Sequence, residues 1–163
     1  MANSTRRYAL SDYVVAITFP RELQAILNGG NTNASTNNAD NGLTIGGADS
    51  YLSSISVSLS GTTFSTSADA TGSWVTTKSL DKHGEVNLTL NQVSDKVTKL
   101  MRIFNIYYAN DDILEGMTIT IQNQRGTIVC TCTDCYISSI PEQDMGESAS
   151  TQQWKFTCGK IDF

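Results

Sequence analysis

Four cysteines are the residues best equipped for chemistry in this chain: Cys130, Cys132, Cys135 and Cys158. Their pattern is C-x-C-x2-C with a distant fourth. Four thiolates can hold zinc tetrahedrally, and a pair can oxidise to a disulfide. The neighbours argue otherwise. Cys130 and Cys132 share one strand face with apolar residues, and Cys158 continues the face of Trp154 and Phe156. Free cysteine is among the most buried residue types, so reduced thiols in a core are expected. His83 is the single histidine. It lies between Lys82 and Gly84, reads as an exposed turn residue, and has no nucleophile and acid placed beside it for a hydrolytic triad. Asp111, Asp112 and Glu115 supply carboxylates without the spacing of a calcium-binding loop. The chain has no phosphate-binding loop, glycine-rich dinucleotide turn or HExxH. The expectation is a protein with no catalytic residue, no metal and no cofactor.

The elements that carry these residues are organised around 86–108. Val86, Leu88 and Leu90 alternate with Asn87, Thr89 and Asn91, the period of a half-buried strand. The period then lengthens. Val93, Val97, Leu100, Met101, Phe104, Tyr107 and Tyr108 recur at three- and four-residue spacing, forming one stripe on a helix at roughly 100° per residue. Ser94 is placed to cap this helix, and Asp95 puts negative charge in its first turn.

Alternation elsewhere is that of strands. Tyr13, Val15, Ile17 and Phe19 form the first. Arg21 to Leu27 has room for a single helical turn. Ile55, Val57 and Leu59 alternate with serines, giving a strand with a serine outer face. Phe64 to Trp74 reads as two short strands about Asp69-Ala70-Thr71-Gly72, with Trp74 and Trp154 both in core-like patterns. Met117 to Ile121, Ile128 to Cys132, Cys135 to Ile140 and Gln152 to Cys158 complete the set. The pattern predicts a single domain over 1–163, mainly β, an antiparallel β-sandwich or barrel with one flanking α-helix.

Charged residues are 17% of 163, the net charge is −5 and the pI is about 4.7. An acidic surface does not hold phosphate backbones, so stable nucleic-acid binding is not expected, whereas passing contact with DNA is compatible. No apolar run is long enough for a membrane-spanning helix. Residues 1–10 lack the apolar core of a signal peptide, which places synthesis in a cytoplasm.

Two features point to assembly. Residues 28–47 are rich in Asn, Gly, Ser and Thr and read as a flexible loop or as an arm that orders against another subunit. Asn33, Asn37 and Asn41 are its interface candidates. Asn33-Ala34-Ser35 matches a glycosylation sequon, discounted without a secretion signal. Ile103 and Ile106 fall on the flank of the helix that the main stripe leaves open, either covered by a loop or forming a subunit contact.

The C-terminal half adds a resemblance. Gly126-Thr-Ile-Val-Cys-Thr-Cys-Thr-Asp-Cys-Tyr-Ile-Ser-Ser-Ile-Pro141, followed by Trp154-Lys-Phe-Thr-Cys-Gly-Lys-Ile-Asp162, resembles the end of tail tube subunits of contractile-tailed phages. The likeness covers about Leu80 to Phe163. It implies hexameric rings stacked into a hollow tube inside a contractile sheath, with tail sheath, baseplate and terminator proteins as partners. It also implies DNA passing through the tube without specific binding, a place in the virion tail, and assembly in the host cytoplasm. Two alternatives stand beside it: a tube subunit of a bacterial contractile injection or secretion system, and a carbohydrate-binding β-sandwich. The expected channel wall is neutral to acidic, since a basic wall would hold DNA rather than let it slide.

Overall fold

The computed structural model describes residues 9–27, 42–46, 51–123 and 125–163. After a 3-10 turn at Leu10–Asp12 come β1 (Tyr13–Thr18), α1 (Arg21–Leu27), β2 (Gly42–Gly46), β3 (Leu52–Leu59), β4 (Phe64–Ala68) and β5 (Trp74–Lys78). Then follow β6 (Gly84–Asn91), α2 (Asp95–Ala109), β7 (Met117–Asn123), β8 (Ile128–Ser139) and β9 (Thr151–Asp162). Seven strands form one antiparallel sheet in the order β2-β1-β7-β8-β9-β6-β3, and β4 pairs with β5 alone. Ile55 and Val57 of β3, at one edge, line the same cleft as Tyr13 of β1 and Ile121 of β7. The sheet therefore curls over itself in the manner of a sandwich. Among the described residues no ladder joins its edge strands, so it is not a closed barrel.

The alternation legible in the sequence becomes the inner face. Val15, Ile17, Val86, Leu88, Leu90, Met117, Ile119, Ile121, Trp154 and Phe156 are all buried in one core. Strand β8 keeps this up for twelve residues only by breaking step once. Met117 and Ile119 of β7 face Cys135 and Cys132, so an extra residue is accommodated in β8. Asp134 takes up the slack with φ of 56°, the backbone of a β-bulge. The bulge resets the parity, so Cys130, Cys132, Cys135 and Ile137 all point inward. Read by simple alternation, this stretch looks like two strands; it is one.

Helix α2 closes one side of the core. Ser94 caps it, its hydroxyl oxygen accepting from the Lys96 N–H at 3.3 Å, and at the other end the Asn110 side-chain amide donates to the Ile106 carbonyl at 2.9 Å. Its buried residues are Val97, Leu100 and Ile103. The buried face is thus rotated toward Ile103 from the stripe expected, and the stripe's outermost members, Val93 and Tyr108, are exposed.

A second helix was under-read. Arg21–Leu27 is a helix of seven residues that buries Leu23 and Leu27, and Glu22 accepts a hydrogen bond from the Leu114 N–H at 3.3 Å. Gly42–Gly46, inside the expected 28–47 arm, is a strand. Leu43 and Ile45 supply the apolar alternation that holds it in the core against β1.

Candidate functional site

Strands β4 and β5 extend the β3–β6 pair outward. Leu59 pairs with Gly84 and, farther out, Phe64 pairs with Lys78, so one ribbon leaves the sheet. All ten residues of β4 and β5 are exposed. Five residues per strand give a projection of about 17 Å. Register puts Phe64, Thr66, Ala68, Trp74, Thr76 and Lys78 on one face, and the Thr66 and Thr76 hydroxyls lie 3.3 Å apart across it. The tip is tightly organised. The Asp69 carboxylate accepts from the Thr71 N–H and hydroxyl and from the Ser73 N–H at 2.9, 2.6 and 3.0 Å. These bonds, that from the Thr71 hydroxyl foremost, hold the Asp69 carboxyl below its ordinary value. At the root, Lys82 pairs with Asp162 at 3.0 Å and the Ile161 N–H donates to the Lys82 carbonyl at 2.9 Å. His83, in the turn before β6, accepts or donates at Nδ1 with Asp81 at 2.6 Å.

The outer face of the large sheet has a different character. Its cross-strand rows include Ser56–Asn87–Lys155–Ser139, Ser54–Thr89–Gln153, Ser58–Glu85–Thr157–Tyr136, Thr133–Lys160 and Thr131–Asp162. In these rows Glu85 and Asp162 stand against Lys155 and Lys160, two of each sign, and the remainder are uncharged polar groups and one tyrosine. Such a surface is hydrated but holds neither anions nor cations firmly.

Among the described residues, two concavities on the body are notable. One, about 400 Å³, is lined by Leu10, Tyr13, Ile55, Val57, Ile121, Val129 and Phe163 among others. The other, about 340 Å³, lies at the end of α2 between Phe104, Tyr107, Tyr108, Ile113 and Tyr136. Tyr107 and Tyr136 meet edge to face at 5.5 Å, and the Tyr136 hydroxyl donates to the Asp134 carboxylate at 3.1 Å. Burial raises the Tyr107 phenol, helped by the charges of Tyr136 and Asp134. Neither concavity combines a nucleophile with a base. Among the described residues, no three of His, Cys, Asp and Glu are grouped to hold a metal.

All four thiols are free and buried. Cys135 stands directly opposite Cys158 in the β8–β9 ladder, with Sγ atoms 2.9 Å apart. Burial, with the charge of Cys132, pushes the Cys130 thiol up to about 12. Its hydrogen bond to Cys158 raises the Cys132 thiol most, followed by burial. At Cys158 the bond from Cys132 acts downward, but the contact with Cys135, burial and the neighbouring sulfurs outweigh it, and the thiol lies at about 12. Cys130, Cys132 and Cys158 are thus held as thiols, which are far weaker nucleophiles than thiolates.

The model of the bacteriophage PhiTE tail tube protein family matches residues 25–163. The chain belongs to that family. It is a tail tube subunit, a component of the virion tail. No curated protein matches it by sequence. In fold, this tail tube protein is similar to a chain of the sheath–tube complex of an extracellular contractile injection system, PVC, in the extended state. The TM-score is 0.54 at 15% identity, over 98% of this chain and 92% of that one. It is also similar to a chain of the anti-feeding prophage baseplate, with TM-score 0.53, 14% identity and coverage of 98% and 95%. A chain of the PVC sheath/tube terminator gives 0.52, 12%, 98% and 97%. Identities this low speak for the fold alone.

The tail tube fold separates the interface residues read from sequence. Ile103 is 0% exposed; it is core, not an open flank, because α2 is rotated toward it. Ile106, one turn on, is partly buried. Asn33, Asn37 and Asn41 lie outside the described residues. Sequence reasoning found two short strands about the 69–72 turn of this tail tube protein but not that they stand exposed as an arm, and it assigned Trp74 to the core, whereas it is 76% exposed. The available signal was compositional: between Phe64 and Trp74 every residue except Ala68 and Ala70 is polar or glycine, too little apolar surface to bury either strand.

Proposed function

We propose that this subunit closes into hexameric rings that stack into the hollow inner tube of a contractile tail, through which DNA passes. The observation that carries the assembly is the β4–β5 arm. A two-stranded hairpin is marginal in water on its own, yet this one projects clear of its own core with Phe64, Trp74 and Val75 exposed. Exposed apolar groups gathered on one element mark contact surfaces, and in a tube built from one chain the surface that meets them is another copy. Ile106 and the second concavity at the end of α2 are further contact candidates, as are Asn33, Asn37 and Asn41.

The serine-, threonine- and asparagine-rich outer face of the sheet supplies the channel wall. Its acidic Glu85 and Asp162 balance Lys155 and Lys160 and leave DNA no basic wall to adhere to. Sheath, baseplate and terminator proteins are the external partners, and assembly takes place in the host cytoplasm. The role is architectural, with no catalytic step and no cofactor. A tube of a bacterial contractile injection system is the second reading, favoured by the fold neighbours drawn from such systems; capsid and terminase genes beside this one would decide for the phage.

Negative-stain electron microscopy with size exclusion tests the reading. Wild type is expected to give rings or hollow tubes, and Phe64→Ala/Trp74→Ala a folded chain that no longer forms them. A wild-type chain that stays monomeric at high concentration, or a channel lined by lysine and arginine, would overturn it.

A further inference from the structure

We propose that Cys135 and Cys158 are a latent disulfide, a modification site that staples β8 to β9 once the protein has left a reducing cytoplasm. The pairing itself does not rest on the tube reading; the departure from a reducing cytoplasm does. The two residues are direct partners in the antiparallel ladder, and their sulfurs already touch at 2.9 Å. Directly opposed antiparallel residues have Cα atoms about 4.5–5.5 Å apart, inside the disulfide range of about 4.4–6.8 Å. Bond formation therefore asks for a sulfur movement of less than about 1 Å and no backbone shift. Cys132 also contacts Cys158, but its ladder partner is Ile161, so it approaches from a diagonal position. Cys130 is farther along β8 and faces Ile121 of β7. Register thus selects one pair out of four cysteines.

The same setting explains why the pair remains reduced at first. Both side chains are 0% exposed, on strands that are interior to the sheet. The attacking species is the thiolate, which is scarce in a core of mutually hydrogen-bonded sulfurs. A bulky disulfide oxidant is excluded at 0% exposure, whereas hydrogen peroxide is small enough to enter on a local opening of the sheet. One thiol loses its proton and attacks hydrogen peroxide as the thiolate, breaking the O–O bond and giving a sulfenic acid and a hydroxide, which takes up that proton to become water. The second thiol then displaces hydroxide from that sulfur, forming the S–S bond and a second water. Two thiols are oxidised, one peroxide is reduced, and no other electrons are needed. The bridge closes a segment that holds the polar residues 140–150, the long connection between β8 and β9.

The test begins with protein purified under reductant and then treated with hydrogen peroxide. Samples are denatured in an alkylating agent and read by intact mass and peptide mapping. Two of the four cysteines are expected to escape alkylation, joined as Cys135–Cys158, with Tm raised by roughly 5–10 °C. Cys130→Ala should keep the bridge and Cys158→Ala should abolish it. Should Cys158→Ala fail to fold, mapping of the wild type decides alone. Four alkylated cysteines after prolonged oxidation of folded protein would overturn the proposal. So would a bridge mapped to Cys132, or sulfinic acid in place of a disulfide.

Discussion

Trp74 and Trp154 stand at opposite ends of the burial scale, 76% and 0% exposed, although both lie in strands of similar sequence character. Trp154 is in β9, flanked by β6 and β8; Trp74 begins β5, whose one partner is β4. Trp154→Ala should destabilise the monomer by about 3–5 kcal/mol. Trp74→Ala should stay within about 0.5 kcal/mol. Urea unfolding of the two variants checks both values. Acrylamide quenching of wild type should fall on assembly, since Trp74 supplies nearly all of the accessible signal.

The two isoleucines of α2 should separate in the same way. Ile103→Ala empties a fully packed site and should lose about 2–5 kcal/mol. Ile106→Ala, from a partly buried side chain, should lose less than Ile103→Ala. Equal losses measured by thermal unfolding would contradict the rotated helix face.

Gly116 has no room for a side chain. A Cβ there would stand 2.7 Å from the backbone of Asp134, where β8 bulges, and the Gly116 N–H donates to the Asp134 carboxylate at 3.1 Å. Gly116→Ala should cost about 1–3 kcal/mol through overpacking, measured as a lower denaturation midpoint. Gly146, with nothing near its Cβ position, is the control, and its alanine variant should be close to neutral.

The core thiols make a prediction about pH. Cys130 and Cys158 are raised from 9.0 to about 12, and Cys132 is raised as well. The unfolded chain releases these protons near the ordinary thiol value, while the native state retains them. Their contribution to stability is therefore complete below about pH 9 and declines toward pH 12, by up to about 1.4 kcal/mol per pH unit for each thiol. Unfolding free energies at a series of pH values should show this decline, and Cys130→Ala should make it shallower.

Much of the fold was legible because period-two alternation directly encodes a half-buried sheet. Val86–Leu90 and Trp154–Cys158 needed nothing more. Ser94 as the cap of α2 was legible from its chemistry, a hydroxyl just ahead of an apolar stripe. Three things were not. The bulge at Asp134 has no local signature, so β8 looked like two strands. Leu43 and Ile45 are two apolar residues in a polar stretch, and only the waiting edge of β1 makes them a strand. Trp74 alternates correctly but has no second layer above it, and the presence of a second layer is a tertiary fact. Ile103 was misplaced for a related reason: a helical wheel orders residues around an axis without saying where the sheet stands, and Ile103 was assigned to the open flank.

The continuous ribbon from β3 and β6 into the arm also has a mechanical meaning. A pull on the arm tip draws β3 and β6 in the same direction, so the load falls on the β6–β9 rungs from Gly84 to Asn91, which are sheared together rather than opened one at a time. The Lys82–Asp162 pair clamps the point where the load enters. The arm is thus anchored like a tenon in the grain of the sheet, able to carry axial tension without peeling the strand that bears it.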